Sequence, residues 1–121
     1  MPKQTGRIIL VDDEEIILEP LKDQLEDAGF KVDAYLDAVP ALAAFPTSGE
    51  KVDLILTDMS MPGMDGIQFA KKVRELSPDI PVLVMSGFLP DVDPIPDSGK
   101  TVFLLKPFTF ETLMDQINQL L

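Results

Sequence analysis

Four of the five short apolar runs in this chain are followed or ended by side chains that carry a charge or a hydroxyl. Asp12 and Asp13 follow the first run, Asp58 ends the third, Ser86 follows the fourth and Lys106 follows the fifth. A carboxylate can attack a phosphoryl group and form an aspartyl phosphate. Oxygen-bound Mg²⁺ and an ammonium would offset the charge on the transferring group, and a hydroxyl could donate to one of its oxygens.

Each of these residues has a commoner interpretation when it is considered alone. An Asp pair before a helix is usually a cap whose charge the helix dipole favours. Ser-Gly after a strand is usually a turn, and Lys-Pro is a weak signal. The phosphoryl-transfer interpretation therefore depends on the conjunction, because successive elements supply the needed groups in order.

The positions of these groups follow from the predicted strands and helices. Apolar runs at residues 7–11, 31–35, 54–58, 81–85 and 101–105 predict five strands. Strands that alternate with helices favour an α/β fold with a parallel sheet. The carboxyl ends of such strands meet at one edge, where open α/β sheets bind their ligands. The chemical groups above are therefore expected to lie together.

Helical periodicity and capping residues predict four helices. The first helix buries Ile17, Leu21, Leu25 and Ala28 and stops at Gly29, and Asp37 caps a second that runs to Phe45. Asp65 and Gln68 form a capping box for a third helix, whose inward face carries Ile67, Ala70, Val73 and Leu76. Thr109 caps the last helix, which carries Phe110, Leu113, Met114, Ile117 and Leu120 on one face. Pro20 lies beyond the first turn of its helix and is expected to bend it.

Size and composition exclude several classes of protein. The 121 residues suit a single domain, taken as 1–121, and the absence of Cys and His removes disulfides, thiolate sites and imidazole chemistry. Any metal must then be a hard cation held by oxygen. The formal net charge of −11 disfavours direct contact with nucleic acid. No apolar run is long enough to span a bilayer and the N-terminus lacks a signal-peptide core, so we expect a soluble cytoplasmic protein without membrane contact.

Four segments match one family closely. They are Ile-Leu-Val-Asp-Asp-Glu-Glu (9–15), Thr-Asp-Met-Ser-Met-Pro-Gly-Met-Asp-Gly (57–66), Met-Ser-Gly (85–87) and Leu-Lys-Pro-Phe (105–108). Over nearly its whole length, the chain resembles the receiver domain of two-component response regulators. The resemblance implies the flavodoxin-like (CheY-like) doubly wound fold, with a five-stranded parallel sheet in the order 2-1-3-4-5.

The resemblance also implies a role for each site residue. Asp58 would accept a phosphoryl group from a histidine kinase or histidine phosphotransfer protein. Mg²⁺ would be bound by Asp12, Asp13, Asp58 and the backbone carbonyl of Ser60. Ser86 and Lys106 would contact the phosphoryl oxygens, and Lys106-Pro107 would be a cis peptide. Ser86 and Phe103 would form the switch, and Ser60 and Phe88 would tune dephosphorylation. Because Phe88 is apolar and cannot orient an attacking water, we expect slow self-hydrolysis.

Two departures from the family pattern affect its partners. Residues 88–100, where the family carries a fourth helix, include Pro90, Pro94 and Pro96, so we expect that helix to be short, irregular or missing. Pro20 lies in the helix that often docks the phosphodonor in relatives, so we expect altered partner geometry there. The resemblance implies an unknown downstream protein partner, with the chain itself a monomer or weak dimer.

Our prediction is a phosphorylation-dependent signalling switch that is not a metabolic enzyme and only assists its own phosphorylation and dephosphorylation. Two alternatives stay open. The chain could be the receiver segment of a hybrid histidine kinase or of another longer regulator. It could be a phosphorylation-independent interaction module. A haloacid-dehalogenase-type phosphatase or an FMN protein is disfavoured, since Asp-Asp-Glu-Glu (12–15) lacks the Asp-x-Asp of the former and would repel the phosphate of the latter.

Overall fold

Five parallel strands form one sheet in a computed structural model that describes residues 6–45, 52–87 and 101–121. The sheet order is β2-β1-β3-β4-β5, which confirms the predicted α/β fold and its strand order. Along the described chain the elements are β1 (Arg7–Val11), α1 (Glu15–Asp27), β2 (Lys31–Tyr35), α2 (Ala38–Ala44), β3 (Leu54–Asp58), α3 (Gly66–Leu76), β4 (Val82–Ser86), β5 (Thr101–Leu105) and α4 (Phe110–Leu120).

Alternate residues of each strand enter two separate apolar layers. On β1, Ile8 and Leu10 join the layer beneath α1 and α4, whereas Ile9 and Val11 join the layer beneath α2 and α3. This alternation follows from the two-residue period of a strand. Every residue of β3 and β4 is buried, as expected for central parallel strands that are covered on both faces. β3 and β4 therefore provide fully covered supports for the residues at their ends.

The predicted helix caps are present. The Asp37 carboxylate accepts from the Val39 N–H at 2.9 Å, and the Thr109 hydroxyl accepts from the Thr112 N–H at 3.1 Å. In the capping box of α3, the Asp65 carboxylate accepts from the Gln68 N–H at 2.8 Å, and the Gln68 amide oxygen accepts from the Asp65 N–H at 3.1 Å. These bonds satisfy backbone donors that a helix start leaves unpaired.

The inward face of α3 differs from the sequence prediction. Leu76 was predicted to face the core, but it is 52% exposed at the last position of the helix. Buried Arg74 lies on the inward face instead, and its guanidinium donates to the Ile80 carbonyl and, at 3.0 Å, to the Thr101 hydroxyl. A buried cation of this kind is tolerated because carbonyl and hydroxyl oxygens replace water.

Smaller corrections concern α1 and β4. Leu18, which the periodicity did not single out, is buried, whereas Ile17 is only half-buried. The fourth strand begins at Val82, not at residue 81, and extends through Ser86. α1 continues through Pro20, whose side chain is exposed, and the expected bend stays a prediction.

Other expectations concern parts of the chain for which the structure gives no description. Phe88 and the expected loss of a fourth helix within residues 88–100 both lie outside the described residues. None of the helices in the described ranges is both long and apolar enough to cross a membrane.

Truncation of a core leucine on α4 tests the packing of the α1–α4 layer. Leu113 is fully buried, so Leu113→Ala should lower the free energy of unfolding by about 2–5 kcal/mol. The matched control Leu76→Ala removes the same atoms from an exposed position and should change it by no more than about 0.5 kcal/mol. Urea unfolding followed by circular dichroism measures both. Equal losses in the two variants would contradict the assigned helix faces.

Candidate functional site

The strand register brings the predicted site residues to one edge of the sheet. Val11 lies beside Thr57 and Thr57 beside Val84, so the next residues, Asp12 and Asp58, are also neighbours. Lys106 follows β5 directly, and its backbone N–H donates to the Ser86 carbonyl at 2.6 Å. Residues that are far apart in sequence therefore meet where four strands end, as predicted from the parallel sheet.

Asp12 is fully buried at the start of the β1–α1 connection. One carboxylate oxygen, Oδ1, accepts from the Glu14 N–H at 2.9 Å. The other, Oδ2, accepts no hydrogen bond from any residue in the described ranges, and the Lys106 Nζ lies 3.9 Å away. A buried carboxylate oxygen without a donor is costly, so its position indicates that a cation outside the chain can be bound there.

Asp58 and Lys106 form the shortest ion pair of the site. The Lys106 Nζ donates to Asp58 Oδ1 at 2.7 Å, and Asp58 is only 7% exposed at the end of β3. Charge-assisted hydrogen bonds of this length are the stronger class. The sequence placed Lys106 near the phosphoryl oxygens but did not predict this direct contact with the carboxylate.

Burial raises the pKa of Asp12. Desolvation is the largest cause, and the neighbouring charges of Asp58 and Asp13 act in the same direction. The Glu14 N–H and the Lys106 ammonium act in the opposite direction, and the result is a pKa of about 6, against an ordinary 3.8. A higher pKa means that ionised Asp12 is unfavourable until a positive charge is supplied.

The carboxylates of Asp12, Asp13 and Asp58 together fit a hard divalent cation. One oxygen from each lies within 4.8 Å of the other two, and Asp13 is exposed to solvent. Three ionised carboxylates beside one lysine ammonium leave an excess of two negative charges, which a divalent cation would balance. An all-oxygen donor set with access to water suits Mg²⁺, which keeps several waters when it binds.

The remaining predicted site residues are described in part. Ser86, at the end of β4, is 2% exposed. Phe103 is half-buried on β5 and packs against the α2–α3 layer. Ser60 is exposed in the loop after β3, and its carbonyl as a ligand stays a prediction. Phe88 lies outside the described residues. The predicted cis peptide between Lys106 and Pro107 is present.

An apolar groove that the sequence did not predict adjoins the site. It has a volume of about 370 Å³ and runs between α1 and the segment that follows β5. Ile16, Pro20 and Phe108 line it, and Lys106 contributes to its wall. Ile16 is 83% exposed. The sequence signal for the groove is weak: an isoleucine pair, Ile16 and Ile17, that follows the acidic start of the helix. We call this surface the α1 groove.

Comparison with protein families identifies one match. The model of the response regulator receiver domain family matches residues 8–118. The curated relatives are longer than this chain. The C4-dicarboxylate transport transcriptional regulatory protein DctD of Rhizobium meliloti is 31% identical over 109 residues, which are 88% of this chain and 23% of DctD. The sensor kinase CckA of Brucella abortus is 30% identical over 97% of this chain and 13% of its own length.

Solved receiver structures are similar over nearly their whole length. A response regulator receiver protein from Sinorhizobium medicae is 33% identical with a TM-score of 0.83, covering 97% of this chain and 94% of that one. The response regulator TrrA of Thermotoga maritima, solved in complex with Mg²⁺-BeF, is 28% identical with a TM-score of 0.81, covering 96% and 99%. TrrA has also been solved in complex with the histidine kinase ThkA. Sequence, fold and the carboxylate cluster agree, and the chain belongs to the response regulator receiver domain family.

Proposed function

We propose that this receiver domain accepts a phosphoryl group on Asp58 from a phosphohistidine donor, with Mg²⁺ as its cofactor, and that the modification changes the binding of a protein partner. One observation carries the proposal: three carboxylates lie within 4.8 Å of one another, while the Lys106 ammonium lies 2.7 Å from one of them. Two-component family membership and the Mg²⁺-BeF complex of TrrA support it.

The proposed step is an in-line displacement at phosphorus. An Asp58 carboxylate oxygen attacks the phosphoryl group of the donor and forms a P–O bond. The P–N bond of the phosphohistidine breaks, and its electron pair stays on the imidazole nitrogen of the donor. Little further chemistry is required, because phosphoryl transfer depends mainly on positioning and electrostatic stabilisation.

The surrounding charges have separate roles in this proposal. Asp12 and Asp13 hold the cation, which when bound offsets negative charge on the transferring phosphoryl oxygens. Lys106 neutralises Asp58 before transfer through the 2.7 Å contact and follows the new negative charge onto the phosphoryl group afterwards. The chain supplies carboxylates and an ammonium for this step, and a carboxylate nucleophile needs no general base to activate it.

The response to phosphorylation would pass through Ser86 and Phe103. Ser86 ends β4 beside β5, and Phe103 lies two residues before the Leu105 position that pairs with Ser86. A move of the Ser86 hydroxyl towards the phosphoryl group would leave space that the half-buried Phe103 ring can enter. Such a switch is an existing two-state equilibrium that one local change of charge biases.

The α1 groove is the docking surface that we propose for the protein donor. Its wall includes Lys106, so a partner bound there reaches Asp58. The exposed side of α1 carries Glu15, Glu19 and Asp23, which favours a partner with basic residues around an apolar contact. The ThkA complex of TrrA supports a histidine kinase as the partner class. Pro20 lies in this groove, so our expectation of altered partner geometry applies to it.

Chemical phosphorylation tests the acceptor directly. Incubation with acetyl phosphate and Mg²⁺ should give a single phosphoryl adduct in the wild-type chain and none in Asp58→Asn, because the amide cannot act as the nucleophile. Intact mass spectrometry measures the adduct, and EDTA should abolish it. A Mg²⁺-independent adduct, or one that persists in Asp58→Asn, would contradict the assignment. A folded wild-type chain that neither acetyl phosphate nor any histidine kinase labels would favour the phosphorylation-independent module.

A comparison of two donors tests the α1 groove. Ile16→Ala should slow transfer from a phosphorylated histidine kinase by about 10-fold, since a buried apolar anchor at an interface is commonly worth more than about 1 kcal/mol. Labelling by acetyl phosphate should stay unchanged, because a small donor does not need the groove. The kinase is chosen as the one that labels the wild-type chain fastest in a purified panel.

Val39→Ala serves as the control for this experiment, since Val39 is 55% exposed on α2, away from the groove. It should leave both rates unchanged. Equal slowing by the two variants, or an Ile16→Ala variant that matches the wild type with the kinase, would argue against the groove as the docking surface.

The pKa of Asp12 predicts how stability depends on pH. The pKa is about 6 in the folded chain and lies above the ordinary value, so the folded state binds the proton more tightly. The stability that this group contributes is therefore fully present below pH 3.8 and is lost as the pH rises through 6. Without Mg²⁺, Asp12→Asn should gain on the order of 2 kcal/mol over the wild type between pH 4 and 7.5.

Urea unfolding in EDTA at several pH values measures this gain. Asp23→Asn, an exposed carboxylate on α1, is the control and should show no comparable pH-dependent gain. A difference between Asp12→Asn and the wild type that stays constant with pH would contradict the pKa assignment. Added Mg²⁺ should stabilise the wild type selectively, because ligands that bind the folded state raise its stability.

A further inference from the structure

We propose that Gly66 is a positioning residue of the Asp58 site. Because Gly66 has no side chain, the backbone that carries Asp58 and leads to Ser60 can pack directly against the start of α3. The inference rests on the proposed function and deepens it, since it concerns which residue holds the Asp58 carboxylate in position for Mg²⁺. Gly66 is the first residue of α3 and lies eight positions after Asp58. It touches the site through its backbone alone.

A side chain at Gly66 would collide with the backbone of the phosphoacceptor. A Cβ atom there would lie 2.5 Å from the Asp58 carbonyl oxygen, 2.9 Å from Met59 Cα and 3.2 Å from the Asp58 carbonyl carbon. These atoms belong to the main chain, so none of them can rotate away as a side chain can. The φ angle of Gly66 is not in the positive region, so the requirement is close approach and not an unusual backbone conformation.

Three hydrogen bonds hold the same stretch of backbone. The Gly66 N–H donates to the Met59 carbonyl at 2.8 Å, and the Met59 N–H donates to the Met85 carbonyl at 2.8 Å. The buried Thr57 hydroxyl donates to the Asp58 carbonyl at 3.0 Å. The peptide groups on both sides of Met59 are thus fixed by β4, by the start of α3 and by a neighbouring side chain. The direct approach of Gly66 closes this arrangement from the helix side.

A displacement of this backbone would separate one half of the carboxylate cluster from the other. Asp12 and Asp13 follow β1, on a different segment, and the three atoms nearest to a Cβ at Gly66 all belong to Asp58 and Met59, so Asp12 and Asp13 should stay in place. Asp58 and the backbone that leads to Ser60 would shift by the several tenths of an ångström that the collision requires. A Mg²⁺ ion needs near-ideal octahedral geometry, so this mismatch should weaken binding more than it disturbs the fold.

Titration with MgCl₂ followed by ¹H–¹⁵N NMR tests the inference in the full chain. Gly66→Ala should bind Mg²⁺ about 10-fold more weakly than the wild type, the size of effect seen when groups that orient metal ligands are removed. Its amide shifts at Met59 and Ser60 should also differ before Mg²⁺ is added. Gly87→Ala is the matched control, because a Cβ at Gly87 would meet nothing within 4 Å, and its affinity should stay within about 2-fold of the wild type.

The outcomes separate the inference from the function on which it rests. A wild type that binds no Mg²⁺ would overturn both. A wild type that binds Mg²⁺ and a folded Gly66→Ala variant with equal affinity would overturn only the positioning role, even if its melting temperature falls. If Gly66→Ala does not fold, Thr57→Val provides a second test, because it removes the hydroxyl that donates to the Asp58 carbonyl. Thr57→Val should bind Mg²⁺ more weakly than Thr57→Ser, which keeps that hydroxyl. Equal affinities of those two variants would then overturn the inference.

Discussion

Repulsion between carboxylates at the carboxyl edge of the sheet is the constraint on which the site depends. One carboxylate oxygen from each of Asp12, Asp13 and Asp58 lies within 4.8 Å of the other two, and at that limit two unit negative charges repel by about 3 kcal/mol at an effective dielectric constant near 20. The single ammonium of Lys106 offsets only part of this, and Asp12 Oδ2 has no hydrogen-bond donor among the described residues. The carboxylate cluster of the folded chain therefore carries more negative charge than Lys106 offsets, and we expect a bound cation to stabilise the fold.

Such a site can persist because fully buried strands support it. β3 and β4 are buried along their whole length, and they carry Asp58 and Ser86 at their last positions. Apolar layers on both faces leave these strands little freedom to separate and relax the repulsion. Burial of apolar surface elsewhere thus compensates for unfavourable charge at the edge, which keeps the reacting groups in place before any ligand arrives.

The agreement between sequence and structure follows the strength of the local signals. Central strands are continuous apolar runs bounded by breakers, so β3 was located from its pattern, and the parallel order then brought Asp12 to Asp58. The face of α3 was harder to predict. Periodicity assigns apolar residues inward, but the buried Arg74 guanidinium donates to oxygens of Ile80 and Thr101, and Leu76, at the last position of the helix, is exposed. The close approach of Gly66 depends on three-dimensional packing that no one-dimensional pattern contains.

Lys106 connects the chemistry of the site to the surface that a partner would contact. Its ammonium pairs with Asp58, and the same residue forms part of the wall of the α1 groove. If Lys106 follows the charge from the carboxylate to a phosphoryl group, the wall of the groove changes when transfer is complete. If this change alters the affinity for the donor, linkage makes the effect reciprocal, and the bound donor alters the stability of the phosphorylated state by the same free energy. A donor that binds the phosphorylated chain more weakly would dissociate without a further signal. Lys106, which contacts Asp58 and lines the groove, provides a physical route for that effect.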